Sequence, residues 1–304
     1  PAGMHLSICV REILDFLQIK PGQKGLDATL GYGGHTREML KCLQSQGHLY
    51  ALDVDPIELA KTRERLQSQG FGPEILTIIQ ENFANIDRVA AEVGPFDFVL
   101  ADLGVSSMQI DNPERGFSYK VDGPLDLRMN PQKGISAAQR LKEVTQEELY
   151  GMLLENADEP YAEEISKAVI RQRRIRPVET TTDLKQVIEQ ALSFIPEKER
   201  KEAVKKSCQR SFQALRIDVN SEFEVLYDFL EKLPQVLAPN GRAAILTFHS
   251  GEDRLVKKSF KQFYKEGIYS DISKNVIRPS QEECARNSRA RSTKMRWAIR
   301  AQEI

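Results

Sequence analysis

The apolar and polar positions of the first hundred residues follow two alternating periods. Four short apolar runs have the length of strands, at residues 24–29, 48–54, 76–80 and 96–103. Apolar residues at helical spacing lie around them, at residues 8–17, 36–43 and 56–67. Strands that alternate with helices favour a parallel sheet covered by helices. The fourth run is almost continuously apolar, which is typical of a central strand in such a sheet.

The pattern changes in the middle of the chain, where helical periodicity dominates and no strand of similar quality occurs. Helices are predicted at residues 146–154, 162–173 and 182–193. The alternation then resumes with a helix at 222–237, a Pro-Asn-Gly turn at 239–241, a strand at 242–248, a helix at 254–264 and a strand at 294–300. We therefore predict an α/β domain formed by residues 1–110 and 209–304, interrupted by a helical domain at residues 111–208.

Composition excludes several classes of protein. The 43 Lys and Arg residues balance 44 Asp and Glu residues, so only local basic clusters could indicate a nucleic-acid partner. Four cysteines and four histidines are scattered without metal-ligand spacing, so we expect no metal. No apolar run approaches the ~20 residues of a membrane helix, and no signal peptide precedes Met4. A cytoplasmic protein without a membrane partner is expected, and the oligomeric state stays open.

A glycine loop follows the first predicted strand. Residues 27–36 read DATLGYGGHT, and glycines there let the backbone approach a ligand beside the free N–H groups of a helix start. A dinucleotide fingerprint needs a third glycine where Thr36 stands, whereas the looser form suits a cofactor without pyrophosphate, such as S-adenosylmethionine. A plain strand-to-helix turn is the alternative.

Polar residues end the next strands. Asp53 closes the second strand, where a carboxylate accepts hydrogen bonds from ribose hydroxyls, while Asp55 could instead cap the following helix. Phe83, after the third strand, could lie against an adenine ring or belong to the core. Asp102 ends the fourth strand at the position of a reaction loop, and its alternative role is a cap or turn.

Long strings resemble the MraW/RsmH-type methyltransferases, which modify the N4 amine of a cytosine in small-subunit ribosomal RNA. The matching strings cover nearly the whole chain in the expected order: DATLGYGGHT at 27–36, DLGVSS at 102–107, ERGFS at 114–118, DGPLDLRM at 122–129, SFQALRI at 211–217, TFHS at 247–250 and SRARSTK at 288–294. The resemblance implies a Rossmann-like class I methyltransferase sheet with an inserted helical domain that helps to bind the substrate.

The resemblance also implies a site and a reaction. Contacts with S-adenosylmethionine are expected from seven residues: Gly33, Gly34, His35, Asp53, Phe83, Asp102 and Gln109. Asp102 is the candidate catalytic acceptor at the cytosine amine, and His249 is a second candidate whose alternative is a structural role. The expected partner is small-subunit ribosomal RNA or the ribosomal subunit. A relative that methylates another RNA site, and an assembly factor that binds the cofactor without catalysis, are the alternatives.

Basic residues could hold the RNA backbone. Candidates are Arg289, Arg291 and Lys294 near the end of the chain and Arg174 in the insertion, although such clusters are often solvated faces. The chain also departs from the family pattern. The departures are His5-Leu-Ser-Ile-Cys9 for His-x-Pro-Val-Leu, residues 156–160 for Tyr-Gly-Glu-Glu, Ser207-Cys208 for His-Pro, and Gly251 for a leucine. Several of them fall in segments on the substrate side, so a shifted RNA target is one interpretation.

Overall fold

The computed structural model describes residues 6–303, which form two compact units. The first contains residues up to Ser106 and from Phe223 onward, and the second is Ser107–Glu222. The predicted return to the first domain at residue 209 is wrong in position, because it falls inside the helix Glu197–Val219. The buried side chains of that helix, such as Phe212 and Leu215, pack in the core of the inserted unit.

The first unit contains a seven-stranded sheet with helices on both faces. Its strands are β1 (Lys24–Asp27), β2 (His48–Asp53), β3 (Leu76–Gln80), β4 (Phe96–Asp102), β5 (Leu237–Thr247), β6 (Tyr269–Ile272) and β7 (Lys294–Arg300). Its helices are α1 (Val10–Leu17), α2 (Gly34–Leu43), α3 (Pro56–Ser68), α4 (Ile86–Val93), α11 (Glu222–Val236, which begins at the boundary between the units), α12 (Ser250–Lys265) and α13 (Gln281–Arg286).

The strand order is β3-β2-β1-β4-β5-β7-β6. Strands β1 to β5 run parallel, while β7 runs antiparallel to both of its neighbours. The chain therefore winds outward from β1 in one direction, returns to β4, and winds in the other direction. Ligands bind in open sheets of this kind at the carboxyl ends of the strands, near the point where the winding direction changes.

Strand β4 lies in the middle of the sheet and contributes to the cores on both faces. Val99 and Ala101 pack with α4, α11 and α12, whereas Phe98 and Leu100 pack with α1 and α2. Alternate side chains of a strand point to opposite faces of the sheet, so the apolar residues of β4 are buried on both faces. Each large apolar side chain buried in this way contributes about 1.5–3 kcal/mol relative to an exposed one.

The Pro-Asn-Gly segment at 239–241 lies inside β5 rather than before it. Leu237 pairs with Phe96 and Arg242 pairs with Phe98, so β5 contains extra residues opposite this part of β4. Asn240 takes a left-handed conformation with φ 64° at this irregularity. The residues predicted as a turn thus form a bulge in the strand.

The inserted unit is helical, as the periodicity predicted. Its helices are α5 (Ser107–Asp111), α6 (Ala137–Glu143), α7 (Gln146–Ala157), α8 (Ala162–Ile175), α9 (Thr181–Ala191) and α10 (Glu197–Val219). Helix α7 begins with a capping box, in which Thr145 and Glu148 each accept a hydrogen bond from the backbone of the other. Helices α7, α8, α9 and α10 enclose an apolar core of their own. Within residues 6–303, no helix has both the length and the apolar character needed to cross a membrane.

Candidate active site

The carboxyl ends of β1, β2 and β4 meet at one edge of the sheet, and backbone hydrogen bonds join the segments that leave them. Ala28 N–H donates to the Leu100 carbonyl at 2.8 Å, and Leu30 N–H donates to the Leu52 carbonyl at 2.7 Å. These bonds hold the start of the glycine loop between its two neighbouring strands. The loop is therefore built on the most buried part of the sheet.

Gly33 shows why the loop needs glycine. It caps the start of α2 with φ 89°, and a Cβ at this position would lie 2.7 Å from Cγ2 of Thr62 on α3. The loop is also held from outside, because the Arg65 guanidinium stacks on the Tyr32 ring at 3.8 Å and donates to the Tyr32 carbonyl. No side chain caps the start of α2, so its first N–H groups can serve a ligand.

Asp53 lies beside this loop at the end of β2. Its carboxylate accepts hydrogen bonds from the N–H groups of Gly31 at 3.0 Å and Asp55 at 2.9 Å. Burial raises the pKa of Asp53 to about 8. The charges of Glu58 and Asp55 add to the rise, and the two backbone hydrogen bonds oppose it. The carboxyl group is thus fixed in place and carries an unusually basic oxygen pair.

The two roles proposed for the acids after β2 separate in the structure. Asp55 caps α3, because its side chain accepts hydrogen bonds from the backbone N–H groups of Ile57 and Glu58.

Phe83 follows β3 in a short 3-10 turn and packs edge-on against the core residue Phe229, with 5.0 Å between ring centroids. Phe83 is therefore partly a core residue, and its contact with an adenine ring stays a prediction.

Asp102 ends β4 at the same edge. Its backbone N–H donates to Thr29 Oγ1 at 2.7 Å, and the chain then turns at Gly104, which has φ 99°. Burial raises the pKa of Asp102 to about 6. The charges of His35 and Arg289 oppose this rise, and that of Asp27 adds to it. A carboxyl group with this pKa loses its proton near neutral pH and can accept one again.

The side chain of His35 lies next to Asp102, which the sequence alone did not indicate. His35 Nδ1 is 3.4 Å from Asp102 Oδ2, and His35 Nε2 is 2.8 Å from the Ile8 carbonyl oxygen. Gly34 is the first residue of α2 and His35 the second. Gln109, the last of the expected cofactor residues, is a buried residue of α5 in the inserted unit.

Two polar residues near β5 and β7 have structural roles. His249 caps α12: its Nδ1 accepts from the Glu252 N–H, and its Nε2 lies 3.1 Å from Glu252 Oε1. Arg296 forms a two-pronged ion pair with Asp253 at 2.7 and 3.1 Å, and both side chains are buried. Arg296 is therefore part of the core, although it belongs to a basic stretch of the sequence.

The candidate RNA-binding residues are placed differently from one another. Arg289 is exposed and donates to the Val105 carbonyl in the loop after Asp102, at 2.8 Å, and Arg291 is also exposed. Lys294 is less accessible and lies 3.9 Å from Asp253 Oδ2. Arg174 is exposed in the last turn of α8, in the inserted unit. Arg289 is thus tied to the loop that begins at the candidate catalytic acid.

A sheet of this order, with an antiparallel seventh strand, a glycine loop after β1 and acids after β2 and β4, defines a Rossmann-like class I methyltransferase fold. The predicted fold class is confirmed. The chain belongs to the MraW methylase family, whose family model matches residues 2–301.

Named relatives are similar along almost the whole chain. A ribosomal RNA small subunit methyltransferase H 1 from Lachnoclostridium phytofermentans is 75% identical over 302 residues, which cover 99% of this chain and 82% of that protein. A protein of the same name from Agathobacter rectalis is 68% identical over 303 residues, covering 99% and 87%. A solved SAM-dependent O-methyltransferase from Thermotoga maritima aligns with TM-score 0.46 and 10% identity, over 98% of this chain and 67% of that one.

Proposed function

We propose that this protein transfers a methyl group from S-adenosylmethionine to the N4 amine of a cytosine in small-subunit ribosomal RNA. The observation that supports it most is the placement of Asp102 beside the glycine loop and Asp53, at one edge of the sheet. Relatives up to 75% identical that are named ribosomal RNA small subunit methyltransferases supply the substrate class. Such a reaction places the protein with ribosomes in the cytoplasm.

The residues at this edge fit the parts of the cofactor. Asp53 offers its carboxyl oxygens as acceptors for two ribose hydroxyls, and the orientation of the group is fixed by two backbone N–H groups. Gly33 and Gly34 let the loop pack closely against Thr62 and Ser7, where a Cβ would clash, and the uncapped start of α2 suits the carboxylate of the amino acid end. We assign adenine contacts to Phe83, and we assign further contacts to His35 and Gln109 because the family resemblance implies them.

Asp102 is assigned the chemical role. S-adenosylmethionine, when bound, supplies a methyl group already activated by a positively charged sulfur. A cytosine amine is a poor nucleophile because its lone pair is delocalised into the ring. An acceptor for one of its hydrogens localises that lone pair and then takes up the proton that the methylated nitrogen loses. We assign this acceptor to Oδ1 of Asp102, because Oδ2 faces His35.

Cations near the loop after β4 are assigned to the RNA backbone. Arg289 and Arg291 are exposed, and Arg289 is hydrogen-bonded to that loop through Val105. We expect Lys294 to contribute less to RNA binding, because its amine lies 3.9 Å from the Asp253 carboxylate. Arg174 would contact RNA from the inserted unit. The target base has to leave its stack to reach the site, so contacts that hold the neighbouring phosphates are needed.

The test is transfer of labelled methyl from S-adenosylmethionine to small ribosomal subunits, followed by nucleoside analysis. Asp102→Asn is compared with Asp97→Asn, a matched acid on β4 that lies at the opposite edge of the sheet and accepts a hydrogen bond from Lys24 N–H. We expect label in N4-methylcytidine with the unchanged protein and Asp97→Asn, and a loss of about 100-fold or more with Asp102→Asn.

Two outcomes would contradict the proposal. Label in another nucleoside would keep the methyl transfer and remove the cytosine assignment. No label on ribosomal RNA, together with normal binding of S-adenosylhomocysteine, would point instead to a protein that binds the cofactor without this activity.

A further inference from the structure

The ring of His35 bridges a backbone carbonyl and the candidate catalytic acid. Nε2 lies 2.8 Å from the Ile8 carbonyl oxygen, and Nδ1 lies 3.4 Å from Asp102 Oδ2. The side chain is buried and only 8% exposed. The ring is therefore held at both nitrogens, away from bulk water.

The carbonyl fixes the position of the ring proton. A carbonyl oxygen can only accept, so Nε2 must be the protonated nitrogen. In a neutral ring, Nδ1 then presents a lone pair to Asp102. A carboxylate opposite that lone pair would be repelled, so the contact is attractive only when a further proton lies between the two groups. That proton lies either on Nδ1, giving an ion pair, or on Asp102, giving a neutral pair.

The surroundings decide how easily this proton leaves. Asp27 is fully buried nearby and accepts hydrogen bonds from Thr36 Oγ1 and Thr29 N–H. The Cys9 thiol and the Arg289 guanidinium also face the site, and both interact electrostatically with Asp102. Burial and Asp27 disfavour a charge on Asp102, whereas His35 and Arg289 favour it. The His35 ring contacts the carboxyl group directly, with Nδ1 3.4 Å from Oδ2.

We propose that His35 is a positioning residue for Asp102: its Nδ1 holds Oδ2 of the carboxyl group, so that Oδ1 is the oxygen presented to the amine. The inference rests on the proposed methyl transfer only for its kinetic consequence. The backbone of His35 could still contact the cofactor, because the residue is at the start of α2, while the side chain serves Asp102. Asp102 takes its proton from the amine through the other oxygen, so that both members of the pair then carry a proton.

The first measurement needs neither cofactor nor RNA. Nitrogen-15 signals of the histidine rings are followed from pH 5 to pH 9 in the free protein, and His35→Gln identifies the His35 signals. We expect a proton on Nε2 throughout, and a changed Nδ1 signal in Asp102→Asn, because the variant replaces the carboxyl group that this nitrogen contacts. A proton on Nδ1 of the neutral ring, or an Nδ1 signal that Asp102→Asn leaves unchanged, would overturn the inference.

The second measurement uses two substitutions that each keep one nitrogen. His35→Asn keeps a donor near the Nδ1 position, toward Asp102, and His35→Gln keeps one near the Nε2 position, toward the Ile8 carbonyl. Positioning through Nδ1 predicts that His35→Asn retains more kcat than His35→Gln. Both variants should move the acid limb of the kcat/KM profile to higher pH by about one unit, because neither supplies the positive charge that lowers the pKa of Asp102.

The two measurements separate this inference from the proposed function. An Nδ1 signal that responds to Asp102→Asn, in a protein that methylates no RNA, would keep the His35–Asp102 pair and remove the function. Methylation by a protein whose His35 signals are unaffected by Asp102→Asn would do the reverse. Equal kcat and unshifted acid limbs in both His35 variants would show that the contact has no part in catalysis.

Discussion

Asp53 should make the protein less stable as the pH rises from 5 to 8. Burial, with the neighbouring charges of Glu58 and Asp55, raises the pKa of its carboxyl group to about 8, against an ordinary value of about 4 in an unfolded chain. Between these values the folded protein holds a proton that the unfolded chain has lost. The stability from this proton uptake is complete below the unfolded pKa and is lost as the pH rises through about 8.

The size of the effect follows from the two pKa values. Each pH unit over which only the folded state holds the proton is worth about 1.4 kcal/mol, so the range from pH 5 to pH 8 has an upper limit of about 4 kcal/mol. The Asp53 side chain keeps some exposure to solvent, which reduces the effect. We expect the free energy of unfolding to fall by about 2 kcal/mol over this range because of Asp53.

Urea unfolding of the protein and of Asp53→Asn at each pH measures this contribution. The amide keeps one acceptor oxygen, so one hydrogen bond from Gly31 or Asp55 is lost at a cost of about 1 kcal/mol at every pH. Relative to the unchanged protein, the variant should gain about 2 kcal/mol between pH 5 and pH 8. Asp15→Asn, an exposed acid on α1, controls for the loss of one negative charge. Stability curves that stay parallel within about 0.5 kcal/mol would refute the reasoning.

Three further substitutions test the glycine loop, the core and the basic surface. Gly33→Ala should weaken S-adenosylhomocysteine binding about tenfold or more by calorimetry, because the new Cβ would clash with Thr62. Gly70→Ala, with a similar φ of 92° and nothing within 4 Å, tests backbone strain alone. Equal losses of binding in the two variants would show that the clash with Thr62 has no effect. Arg296→Met should lower the free energy of unfolding, measured with urea, by about 3–5 kcal/mol, because it leaves the buried Asp253 carboxylate without its partner. A loss below about 1 kcal/mol would mean that the Arg296–Asp253 pair is exposed to solvent. Arg291→Ala should weaken binding to ribosomal RNA and reduce the salt dependence of that binding by about one ion. Lys265→Ala, exposed at the far end of α12, should change neither the affinity nor its salt dependence. Equal losses of affinity in the two variants would contradict a specific basic surface.

The strands of the sheet centre could be predicted because they are short, buried and apolar. The bounds of β3 and β7 match the prediction, and β1, β2 and β4 differ from it by one or two residues. Strand β6 was missed: only its two end residues are buried, and an irregularity between Tyr269 and Asp271 breaks the alternation that identifies a strand. Helix α10 was missed as well, because its first half is dominated by charged residues and its apolar face develops only later.

The candidate site was predictable where it depends on the ends of strands. Asp53 and Asp102 follow apolar runs, and parallel strands bring such ends to one edge, so sequence order is sufficient to place them together. The pairing of His35 with Asp102 depends instead on how α2 leaves the loop and on the Ile8 carbonyl, which no local pattern encodes. The burial of Arg296 could not be predicted, because its partner, Asp253, lies on a different element, and charge alone does not show burial.

Three of the four departures from the family pattern lie at contacts inside one unit; the fourth begins at His5, outside the described residues. In the inserted unit, two departing segments meet: Ser207 Oγ donates to the fully buried Glu159 carboxylate at 3.0 Å, so the changes at 156–160 and 207–208 form one local arrangement. In the first unit, a Cβ on Gly251 would lie 2.7 Å from Cζ of Phe223, so the leucine of the family pattern is replaced where this ring stands. Substitutions that compensate each other in this way preserve a core rather than remodel a binding surface.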